Sequence, residues 1–138
     1  MRRPIVYDHE YNGCFGCGPH NPAGLRLRFF ETEDGVEVEY NVPPHLEGAA
    51  GVVHGGIQAT LLDETLCMTA YAKLGHSVVT GELSVRYVRP APTGAPLLAR
   101  GRIVETKERS AFIEGAIYLQ STGEELTRAR GRFFRHAE

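Results

Sequence analysis

The stretch Val52-Val53-His54-Gly55-Gly56-Ile57-Gln58-Ala59-Thr60-Leu61-Leu62-Asp63-Glu64 sets the reading of the whole chain. A His and two glycines open a strongly apolar segment, and acidic residues follow inside it. Ile57, Leu61, Thr65, Met68 and Ala72 recur at helical spacing, while Ala59, Leu62, Leu66 and Ala70 fill a second stripe. The pattern predicts a helix from Gly55 to about Leu74, apolar over so much of its circumference that it is buried on more than one side. Gly75 is the expected stop. Glycines at a helix start leave the first N–H groups uncovered, so an anionic oxygen can approach them. A carboxylate set among Leu, Ala, Met and Thr loses hydration, an environment that favours a role in chemistry. The two features together point to acyl transfer or hydrolysis.

Outward from this helix the pattern is all strand. Residues 25–32 alternate, with Leu25, Leu27 and Phe29 on one face and Arg26, Arg28 and Phe30 on the other. Glu33-Asp34-Gly35 signals a hairpin turn before a second alternating run at 36–40. A Pro- and Gly-containing loop, 41–51, delivers the chain to the helix. Beyond Gly75, strands are expected at 77–88, 97–106, 111–120 and 125–134, with Thr122-Gly123 among the turns. Short connections imply an antiparallel sheet. The fold class is α+β: one long buried helix wrapped by a curved sheet of about six strands. The first two dozen residues read as a loop-like lead-in, and no linker divides 1–138, so one domain is expected.

The net charge of −2 offers no argument for nucleic acid or an anionic membrane. No apolar run reaches transmembrane length, and Met1-Arg2-Arg3-Pro4 is not followed by a signal-peptide core, so a cytoplasmic home is the expectation. Three cysteines argue against a disulfide framework. Cys14 and Cys17 form a C-x-x-C among turn residues. One such pair supplies two metal ligands where a structural site needs four. His9 and His20 are possible additions, but a tight turn is the favoured reading, with no metal and no cofactor.

Helix geometry implies a partner. The nine steps from His54 to Asp63 span roughly 13.5 Å and about 900°, half a turn apart, so the mouth and the acid face opposite ways. Two chains about a two-fold axis would bring the mouth of one to the Asp63 of the other, giving a homo-oligomer with composite sites.

The strand order, His54-Gly55-Gly56, the acid at Asp63 and the later Tyr87-x-x-Pro90-x-Pro92 resemble the hotdog-fold acyl-CoA thioesterases, nearest the phenylacetate-pathway and 4-hydroxybenzoyl-CoA branches. Cys14-Phe15-Gly16-Cys17-Gly18 with Asn21-Pro22-x-Gly24-Leu25 resembles a bacterial subset of them. The resemblance implies a hotdog fold acting on an acyl-CoA substrate. It makes Asp63 the general base or nucleophile and the Gly55 amide the group that polarises the thioester carbonyl. Thr80 falls where some relatives place the attacking water with a hydroxyl. His54 would touch the carbonyl or order the loop. Gly56, Gln58, Glu64 and Gly48 are the candidate substrate-binding positions. Gly48 stands where many members carry Asn or Gln, and this raises the alternative of a non-catalytic acyl-CoA binding module.

Overall fold

The computed structural model describes residues 2–6 and 12–136. Its central element is α1, Gly55–Leu74, the span the apolar stripes predict. Gly75 ends it at φ 80°, with its N–H closing on the Tyr71 carbonyl at 3.0 Å. Leu61, Leu62, Leu66, Met68 and Ala70 are buried around it. Two buried threonines need no outside partner: Thr65 donates to the Leu61 carbonyl at 2.6 Å and Thr69 to the Thr65 carbonyl at 2.8 Å.

The described residues form one antiparallel sheet of seven strands: β1 Arg3–Pro4, β2 Phe30–Glu31, β3 Gly35–Asn41, β4 Val78–Tyr87, β5 Pro96–Thr106, β6 Ser110–Leu119 and β7 Glu125–Arg135. Their order is β1-β2-β3-β5-β6-β7-β4, so the strand that follows the helix lies at an edge. This is the hotdog arrangement, with seven strands in place of about six.

The expected strand at 25–32 is the main departure. Its alternation is real, because Leu25, Leu27 and Phe29 are buried while Arg26 and Arg28 are exposed. The ladder is confined to β2. Arg26 sits at φ 53° and interrupts the extended run. The Leu25 and Leu27 N–H groups donate to the carbonyls of Phe15 and Gly16, at 2.8 and 3.0 Å. The lead-in loop therefore takes the hydrogen bonds that a neighbouring strand would have taken.

Small residues let the helix approach the sheet. Val36, Gly101, Gly115, Ala129 and Val85 form one row of register partners across β3, β5, β6, β7 and β4. A Cβ on Gly101 would lie 2.5 Å from Thr69 Oγ1, and one on Gly115 would lie 2.8 Å from Leu66 Cδ2. The opposite face is polar. There Arg100 pairs with Glu37, Arg102 with Glu114 and Arg128 with Glu125, while Arg132 stacks on the rings of Phe112 and Phe134. Among the described residues β4 has β7 as its one ladder partner, and its Val79 and Tyr87 are about half exposed, at 48% and 52%.

Candidate active site

The loop 42–54 sets the helix mouth. Val53 donates to the Ala91 carbonyl at 2.8 Å and His54 to the Leu46 carbonyl at 3.0 Å, so the chain entering α1 is held from both sides. His54 caps the helix: its Nδ1 accepts the Gly56 N–H at 2.9 Å. With Nδ1 accepting, the ring's N–H donor is on Nε2. The Ile57 and Gln58 N–H groups go to the His54 carbonyl. Among the described residues the Gly55 N–H has no acceptor, leaving it as the donor at the positive end of the helix dipole.

Tyr87, near the end of β4, donates its hydroxyl to the Gly55 carbonyl at 2.7 Å. It thereby fixes the first peptide of the helix. A Cβ at position 55 would come 3.3 Å from that hydroxyl. In the sequence Tyr87 stood out only as part of a motif; its reach to a residue 32 positions earlier is a tertiary fact.

Asp63 meets Thr80. The Thr80 hydroxyl donates to Asp63 Oδ1 at 2.6 Å, and Cys67 Sγ lies 3.5 Å from the same hydroxyl oxygen. The Thr80 proton is committed to the carboxylate, so the Cys67 thiol is the donor in the second contact. Burial pushes that thiol up to about 12, which keeps it protonated and inert at neutral pH. A bulge between Thr80 and Glu82 turns Thr80 toward the helix.

The remaining candidates fall elsewhere. Gln58 is buried, donating to the Val53 carbonyl at 2.9 Å and accepting from Thr127. The Gly56 amide is held by the His54 ring. A Cβ on Gly48 would lie 3.3 Å from His54 Cα and 3.6 Å from its ring, so position 48 does flank the mouth. Neighbouring Glu47 is occupied, its carboxylate accepting the Gly51 N–H at 3.0 Å. Glu64 turns away from Asp63 and lies against the lead-in turn that carries Cys14 and Cys17. Burial raises its pKa above the ordinary glutamate range. His9 lies outside the described residues.

Gly55 and Asp63 both reach β4, at opposite ends of it, and about 12 Å of helix axis separates them. A single carbonyl group cannot touch both. A trough of about 1100 Å³ on the outer sheet face includes neither residue in its walls.

One helix wrapped by this antiparallel sheet, with polar groups gathered at the helix mouth and at Asp63, is the hotdog architecture. The chain belongs to the thioesterase superfamily, whose family model matches residues 50–126. It is 34% identical over 80 residues to acyl-coenzyme A thioesterase THEM4 of Rattus norvegicus, covering 58% of this chain and 33% of that one. The chain spans about a third of the length of the curated relatives it matches first. Among solved structures, a thioesterase superfamily protein superposes with a TM-score of 0.80 at 28% identity, covering 89% of this chain and 60% of the other. The BH2602 protein of Bacillus halodurans, solved with CoA, gives 0.64 at 35% identity, covering 70% and 68%.

One expectation is corrected here. An "Uncharacterized protein, mitochondrial" of Candida albicans is 32% identical over 83 residues, covering 59% of this chain and 36% of that one. The cytoplasmic expectation does not stand against it. That expectation rested on the missing apolar core of a secretory leader, and this test is blind to amphipathic transit peptides.

Proposed function

We propose that the protein hydrolyses acyl-CoA thioesters in a site assembled from two copies of the chain. The observation that carries the reading is the pairing of a hydroxyl-held carboxylate, Asp63, with a free helix-mouth amide, Gly55, both on α1, each bonded to one end of the edge strand β4, and too far apart to serve one substrate within a chain. Two edge strands related by a two-fold axis would place the mouth of each chain beside the acid of the other. The THEM4 relative's name and the CoA in the B. halodurans structure support the substrate class.

In this reading, water held by Asp63 and Thr80 attacks the thioester carbonyl carbon as Asp63 takes its proton. The carbonyl oxygen becomes an oxyanion facing the Gly55 N–H and the His54 Nε2–H, donors that need no reorganisation. Collapse of the tetrahedral intermediate breaks the C–S bond. The proton on Asp63 passes to the departing thiolate, giving free acid and CoA.

Thiol release across a panel of acyl-CoAs tests this. Asp63→Asn is expected to lose roughly 10²–10⁴-fold in kcat, and retention of wild-type turnover would refute the assignment. Gly55→Pro removes the N–H at the one helical position that tolerates proline. Either variant alone should be inactive. Equal mixtures refolded together should recover about a quarter of wild-type activity, because half the dimers carry one intact site of two. No recovery would place both groups in one chain. Gly48, which brings no side chain to the mouth, favours a binding module as the second reading. Acyl-CoA binding without turnover by the wild type would select it.

A further inference from the structure

The C-x-x-C turn of the lead-in does not stand alone in the fold. Cys14 Sγ, Cys17 Sγ and a Glu64 carboxylate oxygen all lie within 4.8 Å of one another, half-buried, although Glu64 is in the middle of α1. The thiol of Cys14 lies 3.4 Å from Glu64 Oε1. We propose that these three side chains form a site for a thiophilic divalent cation, with zinc the ion they fit best.

Ligand chemistry selects the ion. Two thiolates exclude magnesium and calcium, which take oxygen donors, while one carboxylate beside two sulfurs suits the borderline character of zinc. A tetrahedral ion would take these three groups and one solvent molecule. Binding displaces the two thiol protons to solvent and forms two S–Zn bonds and one O–Zn bond.

The turn is shaped around this cluster. A Cβ on Gly16 would lie 2.2 Å from Glu64 Cγ and 2.4 Å from its Cδ, so only glycine lets the carboxylate into the C-x-x-C loop. A Cβ on Gly18 would lie 2.3 Å from the Cys14 amide nitrogen, so only glycine lets the loop close. The closure is held by the Gly18 N–H on the Cys14 carbonyl at 2.9 Å and by the Asn12 side chain on the Cys14 N–H at 3.2 Å. The Leu25 and Leu27 N–H groups fasten its other side. Three donor groups are thus preorganised on a braced frame. Among the described residues the Glu64 carboxylate pairs with the thiols of Cys14 and Cys17, and no cationic side chain acts on it. A cation would fill that position and staple the lead-in to the helix beside Asp63.

The test uses the full chain, stripped of metal by chelator under reducing conditions, and titrated with Co²⁺ and then Zn²⁺. One Co²⁺ per chain is expected, with near-ultraviolet thiolate-to-cobalt charge transfer and the visible bands of a tetrahedral site, both abolished by Zn²⁺. Cys14→Ser and Cys17→Ser should each abolish the charge transfer, and Cys67→Ser should keep it. Glu64→Gln should retain thiolate bands but weaken affinity at least about tenfold. Should the serine variants fail to fold, alkylation of the wild type decides. Zinc should protect Cys14 and Cys17, mapped by peptide mass spectrometry, and leave Cys67 unchanged. Equal alkylation with and without zinc, or cobalt bands that survive the loss of both cysteines, overturns the proposal.

Discussion

Replacing Gln58 by leucine separates a structural residue from a substrate-binding one. The side chain is 4% exposed; it donates to the Val53 carbonyl at 2.9 Å and accepts from the Thr127 hydroxyl, which is fully buried. Leucine fills a similar volume but strands both partners, and each stranded group costs about 1–3 kcal/mol. The added apolar burial offsets part of this, leaving an expected loss of about 2–4 kcal/mol. Thr127→Val alone strands the Gln58 carbonyl oxygen and should cost about 1–3 kcal/mol. The double variant removes both ends of that bond and strands only the Val53 carbonyl, so it should lose less than the sum of the singles by the cost of two stranded groups, about 2–6 kcal/mol. Urea denaturation followed by circular dichroism reads these differences, at one fixed chain concentration because association contributes to stability. The KM for acyl-CoA should stay at the wild-type value. If Gln58→Leu falls within about 0.5 kcal/mol of wild type while KM rises, the core assignment is wrong and the mouth assignment made from the sequence is right.

Thr80→Val removes the donor on Asp63 Oδ1 and should lower kcat by about tenfold, one charge-assisted hydrogen bond's worth, with thermal stability little changed. Tyr87→Phe frees the first helical peptide; kcat should fall about fivefold while KM holds, and an unchanged kcat would remove Tyr87 as a positioning residue. Lys73, whose ammonium holds Glu31 Oε2 at 3.0 Å and the Thr32 carbonyl at 2.6 Å, keeps the Glu31 carboxyl below its ordinary range. Stability from this pair is present above the unfolded-state value of Glu31, about 4.3, and is lost as pH falls through the lower folded one. Lys73→Met should therefore flatten the acid limb of a pH–stability curve, and an unaltered limb would show that the pair contributes nothing.

The helix and the five long strands were legible because their signals are local. Apolar periodicity, turn glycines and alternation each act within a few residues, and the boundaries of α1 coincide with the stripes that announced it. The run at 25–32 shows where such reading stops. Its alternation reported burial correctly, but hydrogen-bond partners are chosen by what lies alongside, and the lead-in loop lies there. Gln58 shows the same limit from the other direction. Its place at the helix mouth suggested a ligand contact, yet its rotation about the axis carries it inward to Thr127, 69 positions away in sequence.

By itself the sequence determined a buried helix with a glycine-opened mouth, an acid within it, and an antiparallel sheet to wrap it. Tertiary structure decided which of those groups meet. It set Thr80 on Asp63, Tyr87 on Gly55 and the Cys14–Cys17 turn on Glu64. The physical reason is that each pairing joins atoms whose separation depends on strand order and helix crossing, quantities fixed by the packing of the whole core.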